Sequence, residues 1–157
     1  MMDSDTFRRL LSRFASGIAI ITARDGERDV GMTVSAFCSV SLSPPLVLVC
    51  VDRGASMHDL LLEHPKMGIN IMASGHEAHS RRFADKKETR RFEGVPCRRG
   101  ESSVMLLDDA LAHLECQLVH HYETGDHTIF IAEVERGAMR ECQPLLYYGG
   151  RYAQLAG

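Results

Sequence analysis

The sequence predicts a mainly β protein, an antiparallel barrel that is closed or nearly closed, with helices only at its periphery. Three observations carry this prediction. Short apolar runs recur between turn residues along most of the chain. Two long runs, 110–122 and 127–136, are separated only by Glu123-Thr-Gly-Asp126. Helical periodicity is confined to three short stretches, which disfavours the regular strand–helix alternation of a parallel sheet.

At 157 residues the chain is read as one domain, 1–157, and 45% hydrophobic content is enough to fill its core. A formal charge of −3 provides no broad cationic surface for nucleic acid or an anionic membrane. No segment approaches the length of a membrane span, and the start Met-Met-Asp-Ser-Asp lacks a signal peptide's basic and apolar regions. Of the five cysteines, Cys38, Cys50 and Cys116 sit in apolar runs, Cys97 and Cys142 do not, and none forms a Cys-x-x-Cys pair. Reduced, buried thiols in a soluble cytoplasmic protein are the expectation.

The elements follow in order. Phe7, Leu10, Leu11 and Phe14 recur at helical spacing behind possible caps at Ser4, Asp5 and Thr6, so the chain opens with an amphipathic helix. Gly17 then releases it into a strand. Runs 18–23 and 30–34 flank Asp25-Gly26, a pair favoured in hairpin turns. Run 46–51 is apolar at every position, as expected of a central strand covered on both faces. Ser56 reads as the N-cap of a helix with Asp59 near N3, and Pro65 stops it. Run 67–72 is a strand, 77–83 a short helix, 85–91 a charged segment, and 94–100 a loop marked by Gly and Pro. Near the C-terminus, 144–148 and 151–155 straddle Gly149-Gly150 as a last hairpin.

The most informative stretch is Gly31-Met-Thr-Val-Ser-Ala-Phe-Cys-Ser-Val-Ser-Leu-Ser-Pro-Pro45. On a strand, side chains alternate between faces, so Thr33, Ser35, Ser39 and Ser41 share one face, with Ala36-Phe37-Cys38 the place where the register can reset. Four short hydroxyls without a charge suit a hydrogen-bonding wall around a ligand better than an ordinary solvated face. Together with Phe14-Ala-Ser-Gly-Ile-Ala-Ile-Ile-Thr22, Cys50-Val-Asp-Arg-Gly-Ala-Ser56 and Gly125-Asp-His-Thr-Ile-Phe-Ile-Ala-Glu-Val134, this stretch closely resembles the flavin reductase-like family. The resemblance runs from Phe7 to about Leu155.

That resemblance implies an FMN-binding split β-barrel with a Greek-key-like antiparallel arrangement. It also implies an NAD(P)H:flavin oxidoreductase whose hydride passes to FMN or FAD, with NADH or NADPH as co-substrate. The family fold usually pairs as a homodimer, to which Phe7, Phe14 and the apolar strands are placed to contribute, and reduced flavin is often handed to a partner monooxygenase. Carried onto this chain, the flavin site takes Met32, Thr33, Val34, Ser35, Ser39, Val40, Ser41, Cys50 and Asp52, with Arg53, Ser56 and Met57 at a phosphate-binding helix start. Arg82, Phe83 and Tyr152 border it. Where the family often has a second hydroxyl near the serine, this chain has Met57 and His58, a departure that leaves backbone amides to compensate. His127 is the candidate catalytic residue, positioning the nicotinamide; taken alone it is a turn-capping histidine.

The bland readings are Ser56 as a plain helix cap, the serine-rich strand as a hydrogen-bonded β surface, and 80–83 as a basic turn on a solvated helix. Among eight histidines, the pairs His76/His79 and His120/His121 invite a metal hypothesis, but no spacing supports one and no metal is expected. Gly-x-Gly-x-x-Gly, the Walker phosphate loop and Gly-x-Ser-x-Gly are absent. Other readings are a flavoenzyme reducing another small acceptor, a non-catalytic split barrel carrying or sensing flavin or haem, and an interaction subunit.

Overall fold

In the computed structural model, which describes residues 1–156, the chain begins with α1 (Ser4–Leu11), β1 (Ser16–Gly17), β2 (Ala19–Asp25), β3 (Arg28–Val34), β4 (Phe37–Leu42), β5 (Pro45–Asp52), α2 (Ser56–Glu63) and β6 (Lys66–Ile71). It continues through α3 (Glu77–Ala84), β7 (Cys97–Arg99), β8 (Met105–Leu107), β9 (Ala112–Thr124), β10 (His127–Met139), β11 (Leu146–Tyr148) and β12 (Arg151–Ala153). Seven strands form one antiparallel ladder in the order β3-β2-β6-β9-β10-β5-β4. The β2–β3 hairpin turns through Gly26-Glu27, one residue beyond the expected Asp25-Gly26, since Asp25 pairs with Arg28; Gly26 is at φ 58°, and Gly125 at φ 62° turns β9 into β10.

The ladder curls around one apolar core. Ile21, Val34, Val49, Ile69, Cys116 and Phe130 come from six different strands and pack in one cluster, which Met57 and Leu61 of α2 cap. Burying such side chains contributes about 1.5–3 kcal/mol each. The barrel is split: β3 and β4 follow one another in sequence, yet they are the two ends of the ladder, with the Ser35-Ala36 link between them. A second cluster, with Ile20, Phe83 and Leu107, packs the outer face of β2 against α3 and β8.

Several expectations need correction. Asp3, not Ser4, Asp5 or Thr6, caps α1, its carboxylate accepting the Thr6 N–H at 2.9 Å. Among the described residues, no side chain of α1 is buried: Phe7 is 56% exposed, and Phe14, beyond the end of the helix, 79%. The run 46–51 is not a central strand covered on both faces. As β5 it lies next to the edge strand, burying Val47, Val49 and Val51 while Leu46, Leu48 and Cys50 stay half-buried. The loop expected over 94–100 contains β7, which forms a small hairpin with β8, and Ser16–Gly17 adds a strand to the C-terminal hairpin. All five cysteines are free, but only Cys116 is buried; Cys38 and Cys142 are exposed.

Candidate functional site

The site is built where β3 faces α2 and α3. Thr33 donates its hydroxyl to the Ser80 carbonyl at 2.6 Å, fastening the strand to α3. The Ser80 hydroxyl in turn hydrogen-bonds the Tyr152 hydroxyl at 2.8 Å, and the Arg81 guanidinium lies 4.8 Å from the centre of the Tyr152 ring. Below the strand, the fully buried Phe83 meets Phe92 edge-on at 5.0 Å. Both rings fit because position 31 is glycine: a Cβ there would stand 2.7 Å from Phe83 and 3.0 Å from Phe92.

Two hollows share Thr33 and Ala84. The inner one, about 530 Å³, is walled by Met32, Asp52, Ser56, Phe83, Lys86 and Arg91. The other, about 420 Å³, is walled by Ser35, Arg81, Tyr147 and Tyr152. Both fall in the size range of small-ligand clefts.

The inner hollow is electropositive at one end. Ser56 is the first residue inside α2 rather than its cap: Ala55 holds the cap position and no side chain satisfies the helix start. The free N–H groups and the helix dipole therefore face the hollow. Asp52 accepts the Gly54 N–H at 2.7 Å, which fixes the approach of this loop. Arg91 donates to the Gly31 carbonyl at 2.7 Å and the Asp85 carbonyl at 2.8 Å, while its buried Nε lacks a protein partner. Its charge is thus hydrogen-bonded but not neutralised.

Of the residues expected around a flavin, the structure brings Met32, Thr33, Ser35, Asp52, Ser56, Phe83 and Tyr152 to these hollows. The rest stand elsewhere. The four hydroxyls do not share a wall, because the chain bends after Val34; Ser39, Val40 and Ser41 lie on β4, where a bulge interrupts pairing with β5 between Ser39 and Ser41. Val34 and Met57 are core residues, 6% and 0% exposed. Cys50 is half-buried opposite Ile129, its thiol pushed up by burial and by the neighbouring Cys38. Arg53 reaches away to the β9–β10 turn, 3.4 Å from the Gly125 carbonyl and 3.9 Å from Glu123. Arg82 donates to the carbonyls of Arg91, at 2.9 Å, and Arg90, holding the charged segment in place.

His127 lines neither hollow but sits at the rim, since its backbone pairs with Asp52 across β10 and β5. Its Nδ1 is 2.7 Å from an Asp126 carboxylate oxygen, and this hydrogen bond, with the histidine's charge, holds Asp126 below the usual carboxylate range. The sequence reading weighed Arg81 and Arg91 equally as contacts to a nicotinamide 2'-phosphate and as solvated charges, and placed Lys86 only in the charged segment and Tyr147 only in the last hairpin. The only available signal for Arg91 is its place in Thr89-Arg-Arg-Phe92, a few residues after a helix whose last turn carries Phe83.

The fold and the site define a small split antiparallel barrel with a cationic cleft between one barrel edge and two flanking helices. Residues 11–156 match the family model described as "Flavin reductase like domain". An NADH-dependent FAD reductase of Streptomyces globisporus is 40% identical over 161 residues, covering 98% of this chain and 87% of the relative. The FMN reductase (NADH) SmoA of Agrobacterium fabrum is 33% identical over 154 residues, covering 98% and 87%. Among solved structures, BorF, the flavin reductase component of a bacterial two-component tryptophan halogenase, superposes with a TM-score of 0.91 at 32% identity, covering 99% of each chain. The chain belongs to the flavin reductase-like family.

Proposed function

We propose that this chain is an NADH-dependent flavin reductase that hands reduced FMN or FAD to a separate flavin-dependent oxygenase. Family membership supports this, as do the names of its relatives, NADH-dependent FAD and FMN reductases. The observation that carries it is the pair of hollows meeting at Thr33, one cationic at its far end and the other walled by tyrosines. The residues fit a flavin nucleotide. An unspent Ser56 hydroxyl, the open start of α2, Lys86 and Arg91 suit its phosphate; Phe83 and Met32 supply an apolar wall.

When bound, the flavin supplies hydride acceptance from nicotinamide C4 at its N5. The chain's own work is positioning. Thr33 is held by Ser80, Ser80 by Tyr152, and Tyr152 by Arg81, so the wall between the hollows is fixed before any ligand arrives. His127, oriented by Asp126, approaches the nicotinamide from the rim. Neither hollow requires a strong acid or base for this role.

The chain acts as a homodimer in this reading. The exposed row of α1 and the exposed Val40 and Leu42 of β4 are more apolar surface than an isolated barrel needs. No described helix is long and apolar enough to cross a membrane, and the free cysteines suit the cytoplasm.

The test is oxidation of NADH and NADPH by apo-protein with FMN, FAD or riboflavin added. Stimulation of NADH oxidation by a flavin is the expected result. Flavin binding without any turnover would overturn the reductase reading in favour of a carrier or sensor.

A further inference from the structure

His58 is a buried imidazole to which hydride transfer gives no task. It is the third residue of α2, in the turn whose free N–H groups face the inner hollow. Its Nδ1–H donates to the Asp59 carboxylate at 2.9 Å, so in the neutral ring Nε2 accepts the Thr128 hydroxyl proton at 2.7 Å. Phe130 meets the ring edge-on at 5.8 Å and fixes its direction. Thr128 directly follows His127, the residue at the rim. The loop before α2 is fastened to the same place: the Arg53 N–H donates to the Asp126 carbonyl at 3.0 Å, and Asp52 is the cross-strand partner of His127.

The two ends of this connection differ in what holds them. Thr128 sits inside the β-ladder, paired on both sides. The first turn of α2 has no side-chain cap, and uncapped helix ends fray. An anion on that turn satisfies its N–H groups and orders it, and with it His58. We infer that His58 is a positioning residue: a phosphate on the start of α2 orders the turn that carries it and, through Thr128, sets His127 for the nicotinamide. This rests on the inner hollow being the flavin site and on His127 meeting the nicotinamide. A flavin with a phosphate and one without should then differ in nicotinamide use, although the phosphate takes no part in hydride transfer.

The test compares FMN with riboflavin, each at saturation. In the wild-type protein the KM for NADH is expected to be about fivefold lower with FMN, with kcat changed less, a factor at the low end of coupling between sites. Thr128→Ser, which keeps the hydroxyl, should preserve the difference. Thr128→Val should abolish it by raising the KM with FMN to the riboflavin value. Thermal unfolding checks that each variant is folded, and the wild-type and Thr128→Ser measurements decide the matter should Thr128→Val not fold. Coupling is reciprocal, so NAD+ should tighten FMN about fivefold more than it tightens riboflavin, read by quenching of flavin fluorescence without turnover. Equal KM values with FMN and riboflavin in the wild-type protein would overturn the proposal. So would a KM that rises equally with both flavins in Thr128→Val, the mark of a merely structural contact, or loss of the difference in Thr128→Ser. Absence of NADH oxidation with every flavin, with the NAD+ effect on FMN intact, would instead refute the reductase reading and leave the tie through His58 standing.

Discussion

His58 is an almost fully buried imidazole, 4% exposed, beside the helix start that the site depends on. Its Nδ1 is 2.9 Å from Asp59 of the same helix, and its Nε2, 2.7 Å from the hydroxyl of the fully buried Thr128, ties α2 to the start of β10. Replacing Thr128 with valine keeps the volume and removes the partner. The expected cost is about 1–3 kcal/mol, seen as a lower thermal midpoint. An unchanged midpoint would mean that the histidine finds another partner. For His127→Ala, the expected outcome is weaker NADH use with flavin binding retained, and an unchanged Michaelis constant and turnover would remove His127 from the site. The same variant should let the Asp126 carboxyl titrate closer to its ordinary value by NMR. The sign follows from the lowered value: the Asp126–His127 contact stabilises the fold above the carboxyl's unfolded pKa and loses that contribution as pH falls through the folded one. Cysteine reactivity should follow burial. Cys116, pushed up to about 12 by burial and by Glu135 and Glu115, should resist alkylation until the protein unfolds, whereas exposed Cys142 should react in the native state.

Among the elements, β3 carries the narrowest tolerance. Gly31→Ala would drive a methyl group into the Phe83 and Phe92 rings, with an expected loss of about 1–3 kcal/mol and weakened flavin binding. Wild-type affinity in that variant would show that the two rings can retreat. The strands were legible in the sequence because apolar alternation and turn residues are local properties: Gly26 and Gly125 stand where the hairpins turn. Much of the site was not. The period-two pattern marks Ala36-Phe37-Cys38 as a possible break but does not say where the chain goes next, and the bend that moves Ser39 and Ser41 away depends on how β3 and β4 find different partners. Met57 and Phe83 look alike in sequence, but one caps the barrel core and the other lines a hollow. Arg53 and Arg91 look alike too; only the packing of 85–92 against β3 decides which of them lines the inner hollow.

For the whole molecule, the exposed apolar row of α1 and Leu42, 95% exposed, are the residues with which the proposed homodimer is tested. Phe14→Asp together with Leu42→Asp should shift sedimentation towards the mass of a single chain. A wild-type protein that already sediments as one chain would discard the dimer. The split ladder has another consequence. Every side of the two hollows comes from a different part of the chain, from Ile18 to Tyr152, and β5 gains its inner neighbour only when His127–Met139 is available. Such non-local pairing folds slowly, and a ligand seated in it lends its binding energy only to the finished state. During synthesis, therefore, residues 1–126 emerge from the ribosome with β5 still unpaired on that side, and a ligand that needs both hollows can be captured only after Tyr152 has followed.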